Sequence, residues 1–235
     1  MAISQPDVTK QRKINVAIDG PAGAGKSTVA RLVALALEYV YVDTGAMYRA
    51  VALHMIRHGV RPDETELVTR KAAEIDIRLV PERNKQKVLL DGEDVTELIR
   101  SLEVNRQVSH YAKIERLRQM LVDMQRRLAA GKGVVMDGRD IGTQVLPDAE
   151  AKFFLTASVE ERALRRYKEM EDRDRVSLEQ LQRDIAERDR LDEQRTVSPL
   201  VCASDAIRLD TTSMSIDDVV AHIVSYCRTK TDGAK

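Results

Sequence analysis

The chain has 235 residues, 43% of them hydrophobic, and its 38 basic and 38 acidic side chains give a formal net charge of zero. That is enough apolar material for one α/β domain with an insertion, while the charge balance excludes a global basic field for nucleic acid or an anionic membrane. Aromatic residues make up only 3%, with no tryptophan, which argues against a base-stacking single-strand binder.

In chain order, the N-terminal segment has no apolar h-region, and no stretch of the chain reaches membrane-spanning length. A first strand is predicted over Ile14–Asp19. Gly20, Pro21, Ala22, Gly23, Ala24, Gly25, Lys26, Ser27 and Thr28 follow, and Val29, Leu32, Val33, Ala36 and Leu37 then mark an amphipathic helix. Gly20 to Ser27 match G-x-x-x-x-G-K-[ST] in the strand–loop–helix context that a phosphate loop requires. Glycines let backbone N–H groups wrap a polyphosphate, and the helix N-terminus adds partial positive charge. Lys26 can reach the terminal phosphates and the Ser27 hydroxyl can take a Mg²⁺ position. A nucleoside triphosphate is the expected ligand.

A second strand, Tyr39–Asp43, leads into Asp43-Thr44-Gly45-Ala46-Met47-Tyr48-Arg49. In a doubly wound sheet the carboxyl ends of strands line the ligand crevice, so Thr44, Tyr48 and Arg49 suit a second, anionic substrate; an N-capped helix with a surface arginine is the plainer reading. From about Asp63 to Arg100 the β/α alternation breaks. Ile75–Val80 and Lys87–Leu90 flank a polar turn and predict a local antiparallel pair in an inserted small domain. One long helix is predicted from about Glu103 to Ala130, with Val104, Val108, Tyr111, Leu117, Leu121, Met124 and Leu128 on one side.

The near-continuously apolar run Gly133–Asp137 predicts a parallel strand covered on both faces. Asp137 stands where phosphate-loop enzymes hold a carboxylate for the Mg²⁺ water shell. Arg139 and Asp140 would project into the crevice; a plain Asp-Gly turn is the alternative. After a fourth strand, Ala151–Thr156, capping boxes at Ser158 and Ser177 start two helices. Arg183, Arg188, Arg190 and Arg195 then interleave with Asp184, Asp189 and Asp192. Such runs are usually solvated helix faces, but in a phosphoryl-transfer enzyme the arginines can close over the transferring group. A fifth strand, Ala206–Asp210, precedes a Ser215-capped helix with Ile216, Val219, Val220, Ile223 and Cys227 inward. Cys202 and Cys227 lack metal-ligand spacing and read as reduced, core-type residues. The alternation implies a doubly wound, five-stranded parallel sheet.

Taken together, IDGPAGAGKST, VDTGAMYRAVAL, DGEDVTELIR, VVMDGRDIGTQVLPDA and AERDRLDEQRTVSPL resemble the bacterial-type cytidylate kinase family from about Ile14 to Tyr226. The resemblance implies a P-loop nucleoside monophosphate kinase that phosphorylates CMP and dCMP from ATP with Mg²⁺. It implies a core over 1–62 and 106–235, a lid at about 158–195, and an inserted part of the monophosphate-binding region over 63–105. It also implies a CMP site of Thr44, Tyr48, Arg49, Ser109, Arg118, Arg139, Asp140, Arg188, Asp192 and Arg195. Thr44 keeps a hydroxyl where the family often has serine, and Leu191 stands where some relatives carry a further lid arginine. Arg162 and Arg166 resemble positions that stack adenine and touch ATP phosphates, with amphipathic-helix arginines as the competing reading.

The catalytic group is then Lys26, Arg188 and Arg195, with the phosphate loop, Arg162 and Arg166 on ATP, and Ser27 and Asp137 on the metal. The alternatives are a kinase of the same architecture for another nucleoside monophosphate or a shikimate-like metabolite, and a GTP-dependent switch. The switch is disfavoured by the lack of an N-K-x-D motif. A cytoplasmic monomer without nucleic-acid or membrane partners is expected.

Overall fold

In this computed structural model, which describes residues 12–82, 86–170 and 176–232, the strands form two separate sheets. The larger holds β1 (Asn15–Asp19), β2 (Val40–Asp43), β6 (Val134–Gly138), β7 (Ala151–Thr156) and β8 (Ile207–Asp210) in the order β2-β6-β1-β7-β8. Every pairing in it is parallel. All five residues of β1 and of β6 are buried, because helices cover both faces of a central parallel strand. On one face α1 (Lys26–Leu37) and α8 (Ile216–Asp232) pack Val29, Val33, Val219, Ile223 and Cys227 against Ile14, Val16, Ile18 and Phe153. On the other, Val122 and Ala129 of α5 (Glu115–Ala129) pack on Ala17, Val42, Val134 and Met136.

The five predicted strands are present, and each end agrees with its expectation to within one residue. The last helix differs in one respect: Val219, Ile223 and Cys227 face the core, whereas Ile216 at its first turn is 52% exposed.

The smaller sheet holds β3 (Ile77–Pro81), β4 (Gln86–Leu90) and the short β5 (Glu93–Asp94), antiparallel in that order. The expected turn between β3 and β4 lies partly outside the described residues, at 83–85. Gln86 joins the two sheets: its Nε2 donates to the Tyr41 carbonyl at 2.6 Å and its Oε1 accepts from the Asp43 N–H at 3.0 Å. Those bonds occupy backbone groups on β2, the edge strand of the larger sheet, which would otherwise lack ladder partners. A second core joins α2 (Thr44–Arg57), α3 (Thr65–Glu74), α4 (Leu102–Ala112) and the inner faces of β3 and β4.

The single helix predicted over 103–130 is two helices, α4 and α5, broken at Lys113–Ile114. Apolar periodicity continues across the break, which hides it in the sequence. What stabilises the break is tertiary: Arg118, buried on α5, donates from Nη1 to the Ala112 carbonyl at the end of α4, at 3.0 Å. That carbonyl has no helical partner of its own. The break also lets Ser109 of α4 and Arg118 of α5 face the same carboxylate cluster.

The Ser158, Ser177 and Ser215 hydroxyls accept from the N–H groups of Glu161, Gln180 and Asp218, as their sequence boxes predict. The first two start α6 (Val159–Glu169) and α7 (Leu178–Gln194). These helices share a small apolar core of their own, centred on Ala163, Leu181 and Ile185.

Candidate active site

The loop from Gly20 to Gly25 leaves β1 at its carboxyl end, beside the carboxyl end of β6, where the chain crosses from one half of the sheet to the other. Such a switch point opens a crevice above the strands. Glycine is required at position 20, since φ is +145° and a Cβ there would stand 2.1 Å from the Leu155 carbonyl oxygen. Gly25 adopts the left-handed conformation at the N-cap of α1, which turns the chain abruptly into the helix. The cleft has a volume of about 870 Å³, and Ala22, Gly23, Gly25, Lys26, Ser27 and Thr28 line it. Gly20 and Pro21 lie outside that lining, and Ala24 packs into the core beneath; these three shape the loop without facing the cleft.

Lys26 is buried and donates to the Pro21 carbonyl at 2.7 Å. Burial, reinforced by Arg139, lowers its pKa well below the ordinary lysine value, and a bound polyphosphate would favour its charged form. Ser27 Oγ donates to Asp137 Oδ2 at 2.8 Å, and Tyr41 Oη donates to Asp137 Oδ1 at 2.9 Å. Burial pushes Asp137 up to about 6, with neighbouring Asp43 adding to the rise. Among the described residues, no group of three or more His, Cys, Asp or Glu side chains gathers that could hold a metal ion. One hydroxyl beside one carboxylate fits Mg²⁺, which keeps several waters and takes phosphate oxygens as further ligands.

Across the cleft stand paired side chains. Asp43 caps α2 by accepting from the Ala46 N–H at 2.8 Å and accepts from Arg49 Nη2 at 2.8 Å, with Arg100 3.7 Å away. Burial opposes its ionisation, but Arg49 and Arg100 outweigh burial and hold its carboxyl below the ordinary range. Thr44 Oγ1 donates to the Asp137 carbonyl at 2.7 Å. A Cβ at Gly138 would sit 2.7 Å from that Thr44 oxygen and 2.6 Å from Ile141, which explains the glycine after Asp137.

Asp140 is buried and ion-paired with Arg118, whose guanidinium lies 5.3 Å from the centre of the Tyr48 ring; Arg195 Nη2 is 3.7 Å from Asp140 Oδ1. Asp192 accepts from Ser109 Oγ at 3.0 Å and from Arg139 Nε at 2.9 Å. Burial raises the pKa of Asp192, but Arg139, Arg188 and Arg195 more than reverse the effect. Arg188 reaches Asn105 Oδ1 at 3.5 Å, and burial together with Arg139 pushes it down to about 9. Arg49 Nε, Arg118 Nε, Arg188 Nε, Arg195 Nη2 and Tyr48 Oη are buried without a hydrogen-bond partner among the described residues. Orphaned donors of this kind are costly, and here they surround one cleft that an anionic, hydrogen-bonding substrate would fill.

The structure thus brings together the ten residues of the expected CMP site: Thr44, Tyr48, Arg49, Ser109, Arg118, Arg139, Asp140, Arg188, Asp192 and Arg195 all line the cleft. The remaining arginines divide. Arg166 lines the cleft, but Arg162 is turned into the protein, donating to the Ala157 and Ala22 carbonyls and to Asp189. The competing, structural reading of Arg162 is the one its contacts favour. Arg183 and Arg190 pair locally on the α7 surface. The lining residues that sequence reasoning did not assign to the site include Arg100, Asn105 and Arg165; Arg100 closes the motif DGEDVTELIR, whereas Asn105 and Arg165 lie outside the quoted motifs. Asp19 was also passed over, although its two carboxylate oxygens accept from the N–H groups of Ile141 and Gly142 at 2.8 and 2.7 Å and so fix the turn after Asp140.

Comparison with known proteins agrees with this geometry. The cytidylate kinase family model matches residues 16–229. A cytidylate kinase of Halalkalibacterium halodurans is 51% identical over 218 residues, covering 92% of this chain and 98% of that protein. Another, of Pediococcus pentosaceus, is 53% identical, covering 90% and 94%. A crystal structure of an uncharacterized protein from Eubacterium ventriosum is similar in fold, with a TM-score of 0.50 at 12% identity, covering 93% of this chain and 99% of that one. The chain belongs to the cytidylate kinase family.

Proposed function

We propose that the protein transfers the γ-phosphoryl group of ATP to the phosphate of CMP and dCMP, forming CDP and dCDP. The observation that carries this reading is the set of buried, unpartnered guanidinium donors on Arg49, Arg118, Arg188 and Arg195, facing Lys26 across one cleft. The phosphate loop binds the donor; the opposite wall binds the acceptor. A phosphate oxygen of CMP attacks the γ-phosphorus in line, the new O–P bond forms as the bond to the ADP oxygen breaks, and no side-chain base is needed. Catalysis is alignment plus neutralisation of the charge on the equatorial oxygens. Lys26, Arg188 and Arg195 supply that neutralisation from the protein.

Ser27 and Asp137 would hold Mg²⁺, which supplies further neutralisation of the donor phosphates when bound. Arg166 lines the same cleft and is assigned to the ATP phosphates. On the acceptor side, Arg49 and Arg139 take the CMP phosphate, Ser109 and Asp192 take polar groups of the nucleoside, and Arg118 with Asp140 reads the base. Asp140 can accept from the cytosine N4 amino group, as carboxylates do in base readout. Residues 63–105 form the inserted part of the acceptor region and about 158–195 the lid, which together exclude water from the transfer. No described helix is long and apolar enough to cross a membrane, and we place the reaction in the cytoplasm. An acceptor other than a cytidine nucleotide is not favoured, since relatives near 50% identity are cytidylate kinases.

The test is a coupled assay of ADP production across CMP, dCMP, UMP, AMP, GMP and shikimate. CMP and dCMP should give the highest kcat/KM. A clear preference for any of the others would overturn the assignment.

A further inference from the structure

Ala22 of the phosphate loop is held at both its N–H and its carbonyl, which belong to the peptides on either side of it, by side chains from outside the loop. The N–H donates to Asp189 Oδ1 at 3.3 Å, and the carbonyl accepts from Arg162 Nη1 at 2.9 Å. Arg162 Nη1 is also 2.6 Å from Asp189 Oδ2, so the three residues close a ring. Arg162 is fixed in turn by its Nε, which donates to the Ala157 carbonyl at 2.9 Å. The two side chains retain only 6% and 11% of their exposure. The loop rests directly on α6, since a Cβ at Gly23 would lie 3.1 Å from Arg162 Cβ. Asp189 belongs to α7, directly after Arg188 and one turn before Asp192. The ring therefore ties the loop that presents the phosphate-binding N–H groups to the helix that carries an acceptor-side arginine.

We propose that Asp189 is a positioning residue: with Arg162 it sets the orientation of the two peptides that flank Ala22 and makes the donor-binding shape of the loop depend on docking of α7. The inference rests on the proposed ATP site. It assigns Arg162 to the support of the loop rather than to the nucleotide. Its physical basis is that an ionised carboxylate accepts at both oxygens, whereas an asparagine of the same size presents one oxygen and one NH₂. In Asp189→Asn, either the Ala22 N–H or the Arg162 guanidinium would meet a donor instead of an acceptor, with no cavity created. In Arg162→Lys, a single ammonium replaces a fork that serves two carbonyls and a carboxylate.

The experiment is calorimetric titration of ADP, and separately of CMP, into the full-length wild type, Asp189→Asn, Arg162→Lys and the double variant, with a melting curve for each. A lost hydrogen bond to a charged group corresponds to roughly tenfold in affinity. Each single variant should therefore bind ADP about tenfold more weakly, with CMP affinity unchanged within about twofold. The double variant should lose no more than the worse single, because both substitutions break the same ring. ADP binding at wild-type strength in Asp189→Asn would overturn the proposal. So would equal losses for ADP and CMP, which mark general loosening of the fold. An additive double variant would assign Arg162 and Asp189 separate roles and overturn it too. Failure of the wild type to bind ADP at all would contradict the ATP site itself, and the inference with it.

Discussion

The two walls of the cleft are built by different physics. The loop wall is largely backbone: Gly20 fits only because it lacks a Cβ, Gly25 turns the chain into α1, and Lys26 is its one charged side chain. The facing wall is side chain against side chain, with Asp43, Asp140 and Asp192 each serving two or more arginines. A backbone wall recognises any polyphosphate, since every peptide offers the same N–H. The side-chain wall has donors and acceptors in one arrangement, and leaving any of them unpaired is costly in a buried setting. On the proposed function, the first wall carries phosphoryl transfer and the second selects the acceptor.

The largest effect is expected from the loop wall. Lys26→Ala should leave a folded protein whose kcat falls by about 10²–10³-fold, the range for losing one preorganised electrostatic contact in a transition state. Near-normal turnover would mean that the loop does not hold the transferring phosphates. On the facing wall, Arg188→Ala should lower kcat by about 10²-fold, because its donors are best used when α7 is closed on the transition state. Arg195→Ala should act in the same direction. If either variant raised only the KM for CMP, that arginine would be a ground-state contact and the division of labour drawn above would blur.

Asp19 tests how the two walls are joined, since it leaves β1 just before the loop yet fixes the turn that follows Asp140. Burial raises its pKa from 3.8 to about 6, partly countered by the Gly142 and Ile141 N–H groups. Between those two values the folded state binds a proton that the unfolded state does not, so this group's contribution to stability falls as pH rises through the window and is constant above it. Asp19→Asn lacks that slope. The stability advantage of wild type over the variant, from urea unfolding at each pH, should shrink between about pH 4 and 6 and then level. A gap that stays constant over that range would show that Asp19 is not the buried, shifted carboxylate described here.

The two walls also differ in how far the sequence reveals them. The loop wall is local: strand, glycine loop and helix follow one another within Asn15–Leu37, so spacing alone reports it. So do the five strands and the serine caps, which depend on residues three apart. The facing wall joins residues far apart in the chain, such as Ser109 with Asp192 and Arg118 with Asp140. Its members could be named from the family resemblance, but their pairings could not be read from spacing. The break at Lys113–Ile114 was invisible because apolar residues keep helical phase across it while Arg118 caps the Ala112 carbonyl. Arg162 and Arg166 look equivalent one turn apart. Only the fold shows that Asp189 draws the first inward while the second faces the cleft.

The central claim is that the side-chain wall, and Asp140 within it, makes the enzyme a cytidylate kinase rather than a general phosphate-loop kinase. The direct measurement is the ratio of kcat/KM for CMP to that for UMP, in wild type and in Asp140→Asn. A carboxylate accepts from the cytosine amino group and repels the uracil carbonyl, whereas an amide can donate to that carbonyl. The account predicts that the ratio narrows by about tenfold or more, the size of one hydrogen bond to a charged group. If CMP and UMP activities instead fell by the same factor, Asp140 would serve only to hold Arg118 and Arg195 in place, and the claim that it reads the base would be wrong.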